Sequence, residues 1–210
     1  MKVLVIGANG NVGRHIVDKL QESQHEPVAM VRDSDQIPAF ESKGVKTVLG
    51  NLENGFESAF YGVEAVIFAA GSGPDTGADK TILVDQEGAI KAVDHAKHYG
   101  VQRFIMLSSM AADRPQIGPG GMRHYLYAKH RADEYLKASG LNYTILRPGG
   151  LTDEPGSGKV ELAAHLKEFG QISREDAAEA LVYLLSVPRA ENKSFDVLQG
   201  TQPLQEFLAH

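Results

Sequence analysis

The chain reads as an α/β protein, a doubly wound parallel sheet with helices on both faces. Three observations predict this. Short apolar runs rich in β-branched residues recur along the 210 residues, and they alternate with helical patterns. The first run, Val3–Ile6, leads straight into a turn with glycines at 7, 10 and 13. A strand fed into a helix and back to a strand builds a parallel sheet whose faces must both be covered.

The first helix, near 12–23, follows from Val12, Ile16, Val17 and Leu20, which fall on one face. Further strands are expected at Val28–Val31, Lys46–Leu49, Ala65–Ala69, Phe104–Leu107, Tyr143–Leu146 and Phe195–Leu198. Helices are expected between them, near 36–43, 55–61, 80–99, 125–139 and 175–186. Ser173 with Asp176 three residues on has the form of a capping box for the last helix. No repeat or linker divides the chain, so residues 1–210 are read as one domain. Its irregular segments lie near 71–80, 110–124 and 149–172. The loops Gly71–Gly77, Pro115–Gly121 and Gly149–Gly158 leave from carboxyl ends of strands, where ligands bind in doubly wound sheets, and are taken as the rim of the site.

Bulk properties narrow the function. The net charge of −6 argues against non-specific binding to nucleic acid or anionic membranes. There is no cysteine, which excludes disulfides and thiol catalysis and fits a reducing cytoplasm. The N-terminus enters a strand at once, so no signal peptide is expected. No apolar stretch approaches the roughly 20 residues needed to span a bilayer. His95 and His98 lack partners at metal-ligand spacing and are read as surface residues, so no metal is expected. His124 and His130 flank Tyr125, where solvent exposure is expected and substrate contact is the alternative.

The glycine turn carries the first chemistry. A strand, a glycine turn and a helix leave backbone N–H groups free at a helix N-terminus, and with the helix dipole they favour a pyrophosphate. One glycine allows the tight turn, one lets phosphates approach the backbone, and one lets the helix pack close. The candidate contacts are Gly7, Asn9, Gly10, Asn11, Val12, Gly13 and Arg14. The spacing is G-x-x-G-x-x-G rather than the commoner G-x-G-x-x-G, and the flanking strand and helix support the reading.

The second strand ends in Arg32-Asp33, where an NAD site usually has an acidic residue for the ribose hydroxyls. Arg32 could pair with a 2′-phosphate, and Arg14 could reach the same group, which favours NADP over NAD. In the other reading Asp33 binds the hydroxyls and Arg32 is a solvated charge, which leaves NAD open.

Tyr125 and Lys129 stand four residues apart and share a helix face. An ammonium beside a phenol stabilises the phenolate, so the pair can pass a proton to or from a substrate oxygen. Tyrosine followed by a basic residue at this spacing also occurs at Tyr99/Arg103, Tyr127/Arg131 and Tyr143/Arg147, but only Tyr125 is followed by lysine. Upstream, the strand ends in Ser108-Ser109 and places Ser109 at the rim. A Ser, a Tyr and a Lys around a nicotinamide form a site for ketone/alcohol redox chemistry. Lys129 could also hold the nicotinamide ribose. The alternative is that Tyr125 packs, Lys129 is solvated and the serines cap.

The glycine loop, Ser108-Ser109, Tyr125-x-x-x-Lys129 and Leu146-Arg-Pro-Gly-Gly150 together resemble the atypical short-chain dehydrogenase/reductase superfamily. The likeness is greatest to its small bacterial NAD(P)-binding members, related to NmrA-like proteins and to the NAD-dependent epimerase/dehydratase group, and it covers essentially the whole length. It implies a Rossmann fold with strand order 3-2-1-4-5-6-7 and a small C-terminal substrate lobe. It also implies that Asn51 and Leu52 flank the adenine and that Ala69, Ala70 and Gly71 line the cofactor. Ser108 is a further candidate cofactor contact, and Pro148, Gly149 and Gly150 would meet the nicotinamide end. Ser109, Tyr125 and Lys129 would take the catalytic roles. Two positions depart from the family pattern. Asn51 stands where aspartate is commoner, and Asp85 stands where extended members place an asparagine that supports the active-site geometry. Nucleotide-sugar epimerases usually carry a larger lobe than the 60 residues after Gly150.

Three functions remain in competition. The first is an oxidoreductase that moves hydride between NADP(H) and a small carbonyl or alcohol substrate. The second is a non-catalytic NAD(P)-binding redox sensor, which would need no proton donor. The third is an epimerase or isomerase that restores its cofactor each turnover.

Overall fold

The computed structural model of the chain describes residues 1–73 and 76–207. Pro74 and Asp75, within the expected rim loop Gly71–Gly77, lie outside them.

Strand β1 (Lys2–Ile6) is followed by α1 (Asn11–Gln21), β2 (Glu26–Val31), α2 (Ile37–Glu41), β3 (Lys46–Leu49) and β4 (Ala65–Phe68). A short α3 (Ala78–Lys80) runs without a break through a π-helical segment, Thr81–Gly88, into α4 (Ala89–His98). Then come β5 (Arg103–Leu107), α5 (Arg123–Ala138), β6 (Tyr143–Pro148), β7 (Gly150–Thr152), β8 (Lys159–Ala163), β9 (Gln171–Ser173), α6 (Arg174–Leu184), β10 (Lys193–Gln199) and β11 (Gln202–Pro203).

The main sheet has the order β11-β8-β10-β6-β5-β4-β1-β2-β3. From β3 to β10 it is parallel and matches the expected order, with β10 in the seventh place. Beyond β10 it departs from expectation, because β8 and then β11 add antiparallel. The expected irregular stretch after Gly149 therefore contains strands, and β7 pairs with β9 in a separate two-stranded sheet. These strands are two to five residues long. β8 alternates buried and exposed positions instead of forming the apolar run of a central strand.

Two cores sandwich the sheet. On one face α1 and α6 cover Val3, Val5, Ile67 and Ile105. On the other, α4 and α5 cover Leu4, Ile6, Phe68 and Phe104. The alternation of inward positions along β1 divides its side chains between the two. The helix expected near 55–61 is only a 3-10 turn, Glu57–Phe60. It is bounded by Gly62 at φ +68, and so short a segment cannot offset helix nucleation. It still buries Phe60, against which His95 packs at 5.5 Å, so His95 is a half-buried packing residue rather than a surface one. Ser173 does cap α6, accepting from Asp176 N at 2.9 Å. The Asp176 carboxylate completes no box; it accepts instead from Ser157 N and Gly158 N, pinning the loop before β8. Among the described residues no helix is long and apolar enough to cross a membrane.

Candidate active site

The carboxyl ends of β1, β2, β4, β5 and β6 open onto one cavity of about 1030 Å³. The sheet order puts β1 and β4 side by side although they are far apart in sequence, and the crevice opens where the chain reverses direction across the sheet.

Gly7 turns at φ +88, and a Cβ there would lie 2.6 Å from Ala70 N, so the turn presses against the end of β4. A Cβ on Gly13 would lie 2.0 Å from the Gly7 carbonyl oxygen, so α1 packs directly on that turn. Gly10 is different. It is exposed, lines the cavity and serves as the N-cap of α1 with no side chain bonded to the helix start. The first turn of α1 carries no acidic residue. An anion in this cradle would meet free N–H groups and no competing carboxylate. Asn9, Asn11 and Val12 line the same wall; Gly13 and Arg14 do not. Arg14 donates instead to Asn9 Oδ1 at 2.8 Å.

Arg32 lines the next part of the cavity with Met30 and Gln36. Its Nε lies 3.1 Å from Asp33 Oδ2, which also accepts from Gln36 Nε2 at 3.2 Å. Asp33 is thus held by two neighbours and is not part of the cavity wall, while most of the Arg32 side chain is exposed. Asn51 and Leu52 complete this end, with Asn51 Oδ1 bonded to Glu53 N.

Ala69, Ala70 and Gly71 form the middle of the wall, and Pro148, Gly149 and Gly150 the far side. Gly149 is fixed by Val197 O, and a Cβ there would meet Gly170 O at 2.3 Å. Ser108, Ser109, Tyr125 and Lys129 stand between these walls. Tyr125 is half-buried, with its ring 5.7 Å from Lys129 Nζ. The Ser109 hydroxyl has one long contact, to Met110 O at 3.4 Å. The Ser108 hydroxyl is committed inward, donating to Asp133 Oδ2 at 2.6 Å.

Lys129 is buried rather than solvated. Its ammonium donates to Leu107 O at 3.2 Å and lies 3.4 Å from Asp85 Oδ1. Burial opposes its charge, but Tyr125, Asp85 and Asp133 outweigh that and hold its pKa above the usual lysine range. Asp85 sits in the π-helical segment, a distortion that recurs at functional sites, and its other oxygen accepts from Ser72 N at 2.9 Å.

Several site residues were not expected from sequence. Asp133 falls one turn beyond Lys129 on the same face, a signal visible as Tyr-x-x-x-Lys-x-x-x-Asp. Arg174 lines the cavity beside Leu151 and pairs with Asp153 at 2.7 Å, and nothing in its local sequence marks it. His124 is exposed on the cavity wall, whereas His130 is half-buried and bonds Ala112 O at 2.9 Å through Nδ1.

The residues present fit a nicotinamide dinucleotide. Gly10 presents bare backbone to the cavity at an uncapped helix start, and a cation, Arg32, flanks the adjoining wall. A cavity of about 1030 Å³ stands at the upper end of small-molecule sites.

A profile of the NAD(P)H-binding family matches residues 7–188. The chain is 45% identical over 212 residues to an uncharacterized sugar epimerase of Bacillus subtilis strain 168, and the match covers 99% of both. It superimposes with a TM-score of 0.97 on a Bacillus halodurans protein proposed to be an NAD-dependent epimerase/dehydratase, at 47% identity, covering 100% of this chain and 99% of that one. An oxidoreductase from Lactococcus lactis superimposes with a TM-score of 0.88 at 28% identity, covering 100% and 95%.

Proposed function

We propose that this chain, which belongs to the NAD(P)H-binding family, is a cytoplasmic reductase that uses NADPH to reduce a small carbonyl compound. The observation that carries the reading is that Tyr125, Lys129 and Ser109 share one cavity with the uncapped glycine turn and with Arg32.

When bound, a reduced nicotinamide dinucleotide would supply the hydride. The α1 N-terminus and the amides of the Gly7–Gly13 turn would hold its pyrophosphate, and Arg32 its 2′-phosphate. Asn51 and Leu52 would bound the adenine, and Pro148 to Gly150 the nicotinamide end. Ser109 donates a hydrogen bond to the substrate carbonyl oxygen. Tyr125 gives that oxygen its proton, and Lys129 steadies the negative charge left on the tyrosine.

The test is to follow NADPH consumption with a panel of aldehydes, ketones and quinones, comparing wild type with Tyr125→Phe. A general acid contributes about 10²–10⁴-fold, so the variant should lose at least about a hundredfold in kcat on any accepted substrate. Full activity in Tyr125→Phe would remove the proton-donor role.

The similarity to a sugar epimerase supports a second reading, a redox-neutral isomerisation at the same residues. Cofactor retained through purification, with no net NADPH consumed, would favour it over reduction.

A further inference from the structure

Asp133 lies beneath the site without entering it. Its carboxylate is buried and does not line the cavity, yet it acts on two groups that do. Oδ2 accepts the Ser108 hydroxyl proton at 2.6 Å, and the carboxylate acts through its charge on Lys129, one helical turn earlier. Oδ1 is buried with no hydrogen-bond partner among the described residues. A buried, half-satisfied carboxylate costs stability, and such groups are kept where they do something else.

We infer that Asp133 is a positioning residue that sets the state of the nicotinamide end of the cavity from outside it, by holding the Ser108 hydroxyl and balancing the Lys129 ammonium. While Asp133 is ionised, the only proton on Ser108 Oγ is directed away from the cavity, so Ser108 can offer a ligand lone pairs only. The negative charge also favours an oxidised nicotinamide ring, which is cationic. When Asp133 takes up a proton, both effects weaken together: the bond from Ser108 loses its charge assistance and one counter-charge to Lys129 is lost.

The groups around Asp133 place this change in an accessible pH range. Burial pushes its carboxyl up to about 6, although the Ser108 hydroxyl, Lys129 and Lys137 on its own helix, and Arg147 on β6 all pull it down. Asp85, on the π-helical segment, faces Lys129 and supplies its other counter-charge.

The experiment compares wild type, Asp133→Asn and Ser108→Ala between about pH 4 and pH 8 with two measurements. The first is NADP⁺ affinity by calorimetry. Titration of the cofactor's own phosphate is common to all three proteins and cancels in the comparison. Wild type should lose affinity severalfold, relative to Asp133→Asn, as pH falls. In the asparagine variant the side-chain oxygen still accepts from Ser108 but carries no titrating charge. Ser108→Ala should move the transition to higher pH, because a hydrogen bond that lowers the Asp133 pKa is gone.

The second measurement is thermal stability of the ligand-free proteins. The folded state holds the Asp133 proton to higher pH than the unfolded chain does. Wild-type stability relative to Asp133→Asn should therefore fall as pH rises from about 4 to about 6, then level off. Parallel affinity profiles for wild type and Asp133→Asn would overturn the inference even if NADP⁺ binds. If wild type binds no NADP⁺, the proposed function fails on its own account. The stability comparison then decides Asp133, and a wild-type-minus-variant difference that does not change with pH would overturn it.

Discussion

Asp85 Oδ1 lies 3.4 Å from Lys129 Nζ, and both side chains are almost completely buried. The same carboxylate accepts the Ser72 amide at 2.9 Å, so one residue ties the loop after β4 to the lysine on α5. A resemblance to the wider superfamily leads one to expect a neutral asparagine here; the charge on Asp85 turns a hydrogen-bonded support into a buried ion pair.

Removing one partner of such a pair leaves an uncompensated charge, at a cost of about 3–5 kcal/mol. Asp85→Ala should lose about 3 kcal/mol in urea unfolding. Asp85→Asn keeps the acceptor for Ser72 and leaves Lys129 with Asp133, so its loss should be smaller, about 1–2 kcal/mol. Equal stability of Asp85→Ala and wild type would show that the pair contributes nothing net.

Two of the turn glycines should separate fold from binding. Gly13→Ala puts a Cβ 2.0 Å from a backbone carbonyl that cannot move away, and it should prevent stable folding. Gly10→Ala meets its nearest atom at 3.2 Å and points no atom into the core, so it should fold with a melting temperature near wild type. Its methyl group stands at the cavity wall, so nicotinamide cofactor affinity should drop by about tenfold or more. Calorimetry and a thermal melt on both variants check this pairing. A Gly10→Ala protein that binds as wild type does would mean the phosphates do not approach there.

Arg32 is mostly exposed and its side chain pairs with Asp33, which is itself mostly exposed, so replacing it should leave the fold intact. A charge-assisted hydrogen bond to a phosphate is worth about 1.5–3 kcal/mol. Arg32→Ala should therefore weaken NADPH by about ten- to a hundredfold and change NADH little. Equal losses for both cofactors would remove the basis for assigning NADP.

Ala111, just past the serine pair, sits at φ +70, a conformation that costs an L-residue about 1–2 kcal/mol. Glycine adopts it freely but loses more entropy on folding. Ala111→Gly should raise stability by a net of about 0.5–1 kcal/mol, measured by chemical denaturation. A destabilised variant would show that packing of the buried Ala111 methyl outweighs the strain.

Much of this protein could be read from local pattern. The seven parallel strands are visible because each is an apolar run bounded by turns, and the glycine turn because it joins a strand to a helix with a phased apolar face. The pair Tyr125 and Lys129 is visible because a helix fixes which residues four apart are neighbours. The strands β8 and β11 were not, since β8 needs β10 in place to receive it and β11 in turn needs β8. Nor was the fate of Lys129. Whether a lysine is solvated or buried among carboxylates depends on groups 44 residues before it and four after it, Asp85 and Asp133. Local sequence sets backbone preference and side-chain phase, which are short-range properties. The charge state, burial and hydrogen-bond partners of the site are set by which strand ends the sheet brings together, and that was decided only when the chain closed on itself.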